Sequence, residues 1–234
     1  MSLTSPRAIL FDLDGTLADT APDLAAAMNR VRAARGLTPT PFDLLRPVAS
    51  AGARGLIGAS FGIKPEDDGY NELRDAFLDT YEAFIAVESR LFEGIEALLT
   101  NLQECKLSWG IVTNKASRFT DRLVPRIGLH QASCVISGDT TAHSKPHPEP
   151  LLEAARRLAV TPQDCWYVGD DLRDMQAGRA AGMITIAAAW GYCGHVEPTA
   201  WDADALVDSP LHLLNLIRAQ ALNSSGSVTS SEVQ

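Results

Sequence analysis

Apolar residues fall into two textures along this chain. Between residues 20 and 87 they recur at threes and fours. The series runs Leu24, Ala27, Met28, Val31, then Leu44, Leu45, Val48, then Leu56, Ile57, then Leu73, Phe77, Leu78, Tyr81, Phe84. That spacing predicts amphipathic helices, and residues 42–87 offer no strand. Thr20-Ala21-Pro22-Asp23 predicts the first helix start, with a hydroxyl cap, a proline in the first turn and an acid three residues after the cap. Gly36 ends that run. Elsewhere the apolar residues form short blocks at 8–11, 109–113, 133–137, 165–169 and 183–187, with helical patterns at 118–127, 149–158 and 171–181. Strands alternating with helices predict an α/β fold, a doubly wound parallel sheet covered on both faces. The expected organisation is a core of residues 1–18 and 90–222, a small all-helical cap of residues 19–89 inserted after the first strand, and a Ser-rich disordered tail at 223–234.

Composition narrows the function. With 234 residues, 46% hydrophobic and 21% charged, the chain can bury a substantial core. A net charge of −9 argues against a nucleic-acid partner, which needs a basic surface. It also means that an anionic substrate must be drawn by local cations, not by the overall field. Cys105, Cys134, Cys165 and Cys193 are widely spaced with no Cys-x-x-Cys, which predicts reduced thiols and a cytoplasmic protein. No apolar signal core precedes the first acids, and no stretch reaches the ~18 apolar residues of a membrane span, so neither a leader nor a membrane partner is expected.

The candidate chemistry lies just after the predicted strands, where open α/β sheets bind ligands. After the first strand come Asp12, Asp14, Gly15 and Thr16; after the second, Thr113, Asn114 and Lys115. After the third come Gly138-Asp139 and then Ser144-Lys145-Pro146; after the fourth, Gly169-Asp170-Asp171-Leu172-Arg173-Asp174. Taken singly these are ordinary. Lys145 is a solvated loop lysine, Thr113 a strand-end hydroxyl, and Asp171 and Asp174 are acids of a helix first turn. Together they place carboxylates, a hydroxyl, an amide and a lysine around one sheet end, a set suited to phosphate and a divalent, oxygen-preferring cation such as Mg2+.

These four groups, in this order, resemble the motifs of the haloacid dehalogenase-like hydrolase superfamily, over residues 7–218. The helical insert resembles the cap of its phosphoglycolate phosphatase-like branch. The stretches Ser50-Ala-Gly-Ala-Arg54-Gly, Arg90-Leu-Phe-Glu-Gly and Trp109-Gly-Ile-Val-Thr-Asn-Lys are similar to those of N-acetylmuramic acid 6-phosphate phosphatases, enzymes of peptidoglycan recycling. The resemblance implies an Mg2+-dependent phosphomonoesterase acting on a small phosphorylated metabolite, as a monomer or homodimer. It implies Asp12 as nucleophile and Asp14 as acid/base, with Asp12, Asp14 (through its backbone carbonyl) and Asp170 on the metal. Thr113, the Asn114 N–H and Lys145 would serve the phosphoryl group, Thr16 the substrate, and Asp171 and Asp174 would support the metal or Lys145. His147 departs from the branch, which often has Asp after Lys-Pro. Arg54, in a loop between Gly52, Gly55 and Gly58, is the candidate partner of a substrate carboxylate.

Other readings fit less well. An EF-hand loop fails because Gly15 is fourth from Asp12 and the twelfth position is Asp23. The glycines at 52, 55 and 58 lack the Gly-Lys-Ser/Thr of a P-loop. His143 and His147 are four apart, but prolines 146 and 148 break any helix there, and no third zinc ligand stands out. A sugar-phosphate mutase shares the motifs but needs a base from the cap. A phospho-accepting receiver module, a signalling domain, carries its accepting Asp after the third strand and has no insert.

Overall fold

The computed structural model describes residues 3–226. The chain opens with β1 (Ala8–Phe11) and the short β2 (Ala18–Asp19), then enters four helices: α1 (Ala21–Ala33), α2 (Phe42–Leu45), α3 (Gly52–Phe61) and α4 (Tyr70–Ala83). It returns through β3 (Arg90–Leu91), α5 (Ile95–Glu104), β4 (Ser108–Val112), α6 (Ser117–Arg126), β5 (Val135–Ile136) and α7 (Glu149–Leu158). It ends with β6 (Cys165–Gly169), α8 (Leu172–Ala180), β7 (Ile184–Ala188), β8 (Ala205–Val207) and α9 (Pro210–Gly226). Six strands form one sheet in the order β5-β4-β1-β6-β7-β8. Every neighbouring pair in it is parallel. This is the doubly wound α/β arrangement, with β1 at its centre.

Alternation along the central strands explains why both faces are covered. In β1, Ile9 and Phe11 join one apolar cluster, while Ala8 and Leu10 join the other. In β6, Trp166 and Val168 go with the first pair, Cys165 and Tyr167 with the second. Successive side chains point to opposite faces, so a strand buried on both sides must be apolar throughout. Helices α7 and α8 supply Leu151, Ala154 and Ala177 to one face. The other face packs against α1, α5, α6 and α9, and the same cluster runs on into α3 and α4. Among the described residues no helix is long and apolar enough to cross a membrane.

Several elements escaped the sequence pattern. The block at 133–137 contracts to the two residues of β5. Strand β8 has three residues, too few for a period to show. Helix α9 runs to Gly226, so the expected tail starts inside a helix; residues 227–234 lie outside the described residues. The stretch 51–58 around Arg54, expected as a loop, falls almost wholly within the helix α3, Gly52–Phe61.

The start of α1 also differs from expectation. Thr20 occupies the N-cap position, but its hydroxyl makes no capping bond. It donates to Asp14 instead. The phenol oxygen of Tyr192 takes over, accepting from the Thr20 N–H at 2.7 Å and the Ala21 N–H at 2.9 Å. Asp23 does not fold back on its own helix. Its carboxylate, 4% exposed, accepts from the backbone N–H groups of Val87, Glu88 and Ser89 at 2.9–3.1 Å and from the Ser89 hydroxyl at 2.6 Å. Beside it β2 and β3 pair antiparallel, Ala18 with Leu91 and Asp19 with Arg90. Entry to and exit from the four-helix segment are therefore tied at one point. Asp23→Ala removes the buried acceptor of three backbone donors at a half-buried joint. It should lower the unfolding free energy by about 2–4 kcal/mol in urea titrations. A loss below about 1 kcal/mol would mean that the β2–β3 ribbon alone holds this joint.

Candidate functional site

The parallel sheet brings the carboxyl ends of β1, β4 and β6 side by side, and the polar residues that follow them converge. Asp12 leaves β1 with its N–H still bonded to the Val168 carbonyl at 2.9 Å. Asp170 leaves the neighbouring β6. Asp12, Asp170 and Asp174 bring carboxylate oxygens within 4.8 Å of one another, and all three are buried. Close approach is built into the backbone. A Cβ on Gly15 would lie 2.1 Å from an Asp170 oxygen, and one on Gly191 would lie 2.2 Å from the Asp170 Cβ. Only glycine fits either place.

Lys145 is the counter-charge. Its Nζ lies 2.9 Å from Asp12 and 2.7 Å from Asp174, with 3% of the side chain exposed. It also donates to the Tyr167 hydroxyl at 2.7 Å and the Val112 carbonyl at 3.0 Å. Burial works against this ammonium, but Asp12 and Asp174 outweigh it and raise its pKa. The loop that carries Lys145 is gripped by the side chain of Asn114, which accepts from the Lys145 N–H at 3.0 Å and donates to the Lys145 carbonyl at 2.9 Å. Nothing in the sequence pattern singled out that clamp.

One ammonium does not balance three buried acids. Burial pushes the Asp12 carboxyl up to about 7 against the pull of Lys145, with Asp174 and Asp14 adding to the rise. Burial, Asp12 and Asp174 hold Asp170 well above the usual carboxylate range, although the Tyr192 N–H and the Thr16 hydroxyl bond to it at 2.9 Å. Crowded acids of this kind call for a compensating cation, and an all-carboxylate donor set suits a hard divalent one. Asp12 and Asp170 fit such an ion. Asp174 is engaged by Lys145, and its other oxygen accepts the Asp171 N–H at 3.1 Å. Asp171 caps α8 and pairs with Arg173 at 2.8 Å.

Asp14 stands apart from this cluster. Its carboxylate faces the other way, onto Lys115 Nζ at 2.8 Å and the Thr20 hydroxyl at 2.5 Å. Its side chain is therefore no member of the acid cluster. For Lys115, burial opposes the charge, yet Asp14 and then Tyr81 raise its pKa above the ordinary lysine value. Lys115 was legible only as the residue after Thr113-Asn114; its pairing with Asp14 depends on the fold.

A cavity of about 340 Å3 opens over these groups. The sheet side contributes Asp12, Asp14, Thr113, Asn114, Lys115 and Lys145, and the helical segment contributes Ser50–Ala53, Phe77, Leu78 and Tyr81. Three expected residues do not line it. Asp170 is fully buried behind Asp12 and Gly15. The Thr16 hydroxyl is spent on Asp170 and is fully buried, because the turn at Gly15 folds it under the cluster. Arg54 is exposed on α3, one residue beyond the lining stretch, and makes no hydrogen bond or ion pair among the described residues. The guanidinium groups that do line the cavity are Arg118 and Arg173. A second trio also assembles: Glu149 joins His143 and His147 on the surface, with ligand atoms within 4.8 Å. It supplies the third ligand that the sequence left unseen, because Pro146 and Pro148 fold the loop back onto the start of α7.

Known proteins resemble this chain over most of its length. A phosphoglycolate phosphatase of Xylella fastidiosa is 48% identical over 214 residues, spanning 90% of this chain and 92% of that one. An N-acetylmuramic acid 6-phosphate phosphatase of Pseudomonas putida is 45% identical over 214 residues, spanning 90% and 96%. The crystal structure of a protein described as a predicted phosphoglycolate phosphatase, from Haemophilus somnus, superposes with a TM-score of 0.81 at 24% identity, over 91% of this chain and 98% of that one. The sequence model of the haloacid dehalogenase-like hydrolases matches residues 9–188. This chain belongs to that family.

Proposed function

We propose that the protein hydrolyses the phosphomonoester of a small metabolite through an aspartyl-phosphate on Asp12, with Mg2+ as cofactor. The observation that carries this reading is the placement of Asp12. It lies at the end of the central strand, 2.9 Å from Lys145, among the buried acids, and it lines the cavity together with Asp14. In the first step an Asp12 oxygen bonds to phosphorus, the ester P–O bond breaks, and the leaving oxygen takes a proton from Asp14. In the second step water attacks the same phosphorus and passes a proton to Asp14. Inorganic phosphate leaves, and the Asp12 carboxylate is restored.

The residues divide the work by position. Lys145 screens the charge between Asp12 and the incoming phosphoryl oxygens. Thr113 lines the cavity beside it and offers a hydroxyl, with the Asn114 N–H as a second donor. Lys115 and Thr20 hold Asp14 in place for the leaving oxygen. Mg2+, held by Asp12, Asp170 and the main chain at Asp14, would supply the positive charge that the acid cluster lacks. Among the described residues the helical segment puts no carboxylate or imidazole into the cavity lining, which supports hydrolysis over mutase chemistry. The names of the relatives support a small phosphorylated substrate: phosphoglycolate or N-acetylmuramic acid 6-phosphate. A carboxylate on either would meet Arg118 or Arg173 in the cavity before Arg54. All four cysteines are free thiols, which supports a reducing, cytoplasmic setting.

Asp12→Asn keeps the shape and removes the anionic nucleophile. Phosphate release should fall at least about a hundredfold while the circular dichroism spectrum stays unchanged. A variant that keeps a tenth of the wild-type rate would remove Asp12 from the nucleophile role. Chelation should silence the enzyme and Mg2+ restore it, with Asp170→Asn raising the Mg2+ needed for half activity about tenfold or more. Full activity after exhaustive dialysis against EDTA would exclude a metal at this cluster.

A further inference from the structure

One wall of the cavity is built for more than a phosphate. Leu24, Phe77, Leu78 and Phe119 line it beside Tyr81, so its surface is mostly apolar. The aromatic rings hold one another: Phe77 and Tyr81 stack 6.3 Å apart at 15°, and Tyr81 meets Phe119 at 5.3 Å. Lys115 Nζ lies over the Tyr81 ring, 4.7 Å from its centroid. This wall is therefore fixed before a ligand arrives. A volume of about 340 Å3 is at the lower end for a metabolite site, yet it exceeds what a phosphoryl group and two carbons fill. A two-carbon acid has no apolar face to cover this wall. Water left against it would forfeit the gain from burying apolar surface.

Two polar features remain unused. The Tyr81 hydroxyl is buried, with the Lys115 ammonium as its polar neighbour, and it makes no well-formed hydrogen bond among the described residues. Such a group is costly unless something bonds to it, and a residue lining a binding cavity is the natural place for a ligand to do so. Near the rim, Glu82 is shared by two guanidiniums, Arg118 at 3.7 Å and Arg122 at 3.2 Å. One carboxylate against two arginines leaves a net positive charge, and Arg118 lines the cavity.

Resting on the hydrolase reading above, we infer that this cavity is a chamber for a leaving group of monosaccharide size that carries an apolar face and an acidic substituent, with Tyr81 bonding to one of its oxygens. A phosphorylated sugar acid has all three properties; phosphoglycolate has only the acid. The chamber thus separates the two substrate names found among the relatives.

The test compares kcat/KM for N-acetylmuramic acid 6-phosphate and 2-phosphoglycolate, both with Mg2+. The wild-type ratio should favour the sugar acid by about tenfold or more. Tyr81→Phe, which keeps the stacked ring, should lower that ratio several-fold, chiefly through KM of the sugar ester. A wild-type ratio at or below one overturns the chamber while leaving the hydrolase reading intact. A ratio that Tyr81→Phe does not move removes the tyrosine from substrate contact and overturns that part of the inference. Turnover of neither ester would bring down the hydrolase reading and the chamber with it.

Discussion

A single buried ammonium among three carboxylates is the constraint on which the site depends. Lys145 is almost wholly out of water, and a charge so placed is tolerable only if its neighbours compensate it. Asp12 and Asp174 do so directly, from β1 and α8, while the Tyr167 phenol and the Val112 carbonyl share its remaining hydrogen. These partners come from four separate parts of the chain. The sheet order that puts β1 between β4 and β6 is what lets them meet. Asn114 and the capping box of α8 then hold the two flanking loops, so the geometry is set by backbone contacts and not by side-chain chance.

The compensation is incomplete, and that shortfall is chemically useful. Three acids with one lysine leave an excess of negative charge in a site with little water. The glycines at 15 and 191 bring backbone against Asp170 and leave no room to relax by moving apart. A hard cation is what such an arrangement can accept. A second lysine, Lys115, serves Asp14 on the opposite side. The two aspartates of one Asp-x-Asp pair thus lie in different electrostatic settings, the condition under which neighbouring carboxyls can take different parts in one reaction.

The helical segment is joined to this centre more closely than a bare insertion would be. Ser50 approaches Asp170 at 3.4 Å, and its carbonyl accepts from Arg173 at 2.9 Å. Asp23 and the β2–β3 ribbon tie the two ends of the segment together. Tyr192, from the loop after β7, caps α1 and donates to Asp19 at 3.1 Å. Core and insert therefore share hydrogen bonds at the cavity itself as well as at their junction.

The sequence by itself determined the fold class, the helical character of the insert, and which residues stand at the strand ends. Those are matters of local period and spacing: blocks such as Ala-Ile-Leu-Phe are apolar on both faces, and the acids follow directly. It also gathered Asp12, Asp14, Thr113, Asn114, Lys145 and Asp170 around one sheet end, with Asp171 and Asp174 in support, because parallel strands must present their carboxyl ends together. Only the tertiary structure decided which acid faces which lysine. Asp12 and Asp14 are two residues apart, and the turn between β1 and Gly15 sends them to opposite sides. It also decided that Thr16 serves Asp170, that Asn114 grips the Lys145 loop, and that Tyr81 and not Arg54 lines the cavity. Each of these is a contact between residues distant in the chain or between helix faces. Periodicity can say that a face is buried, but what it is buried against is fixed by the packing of other elements.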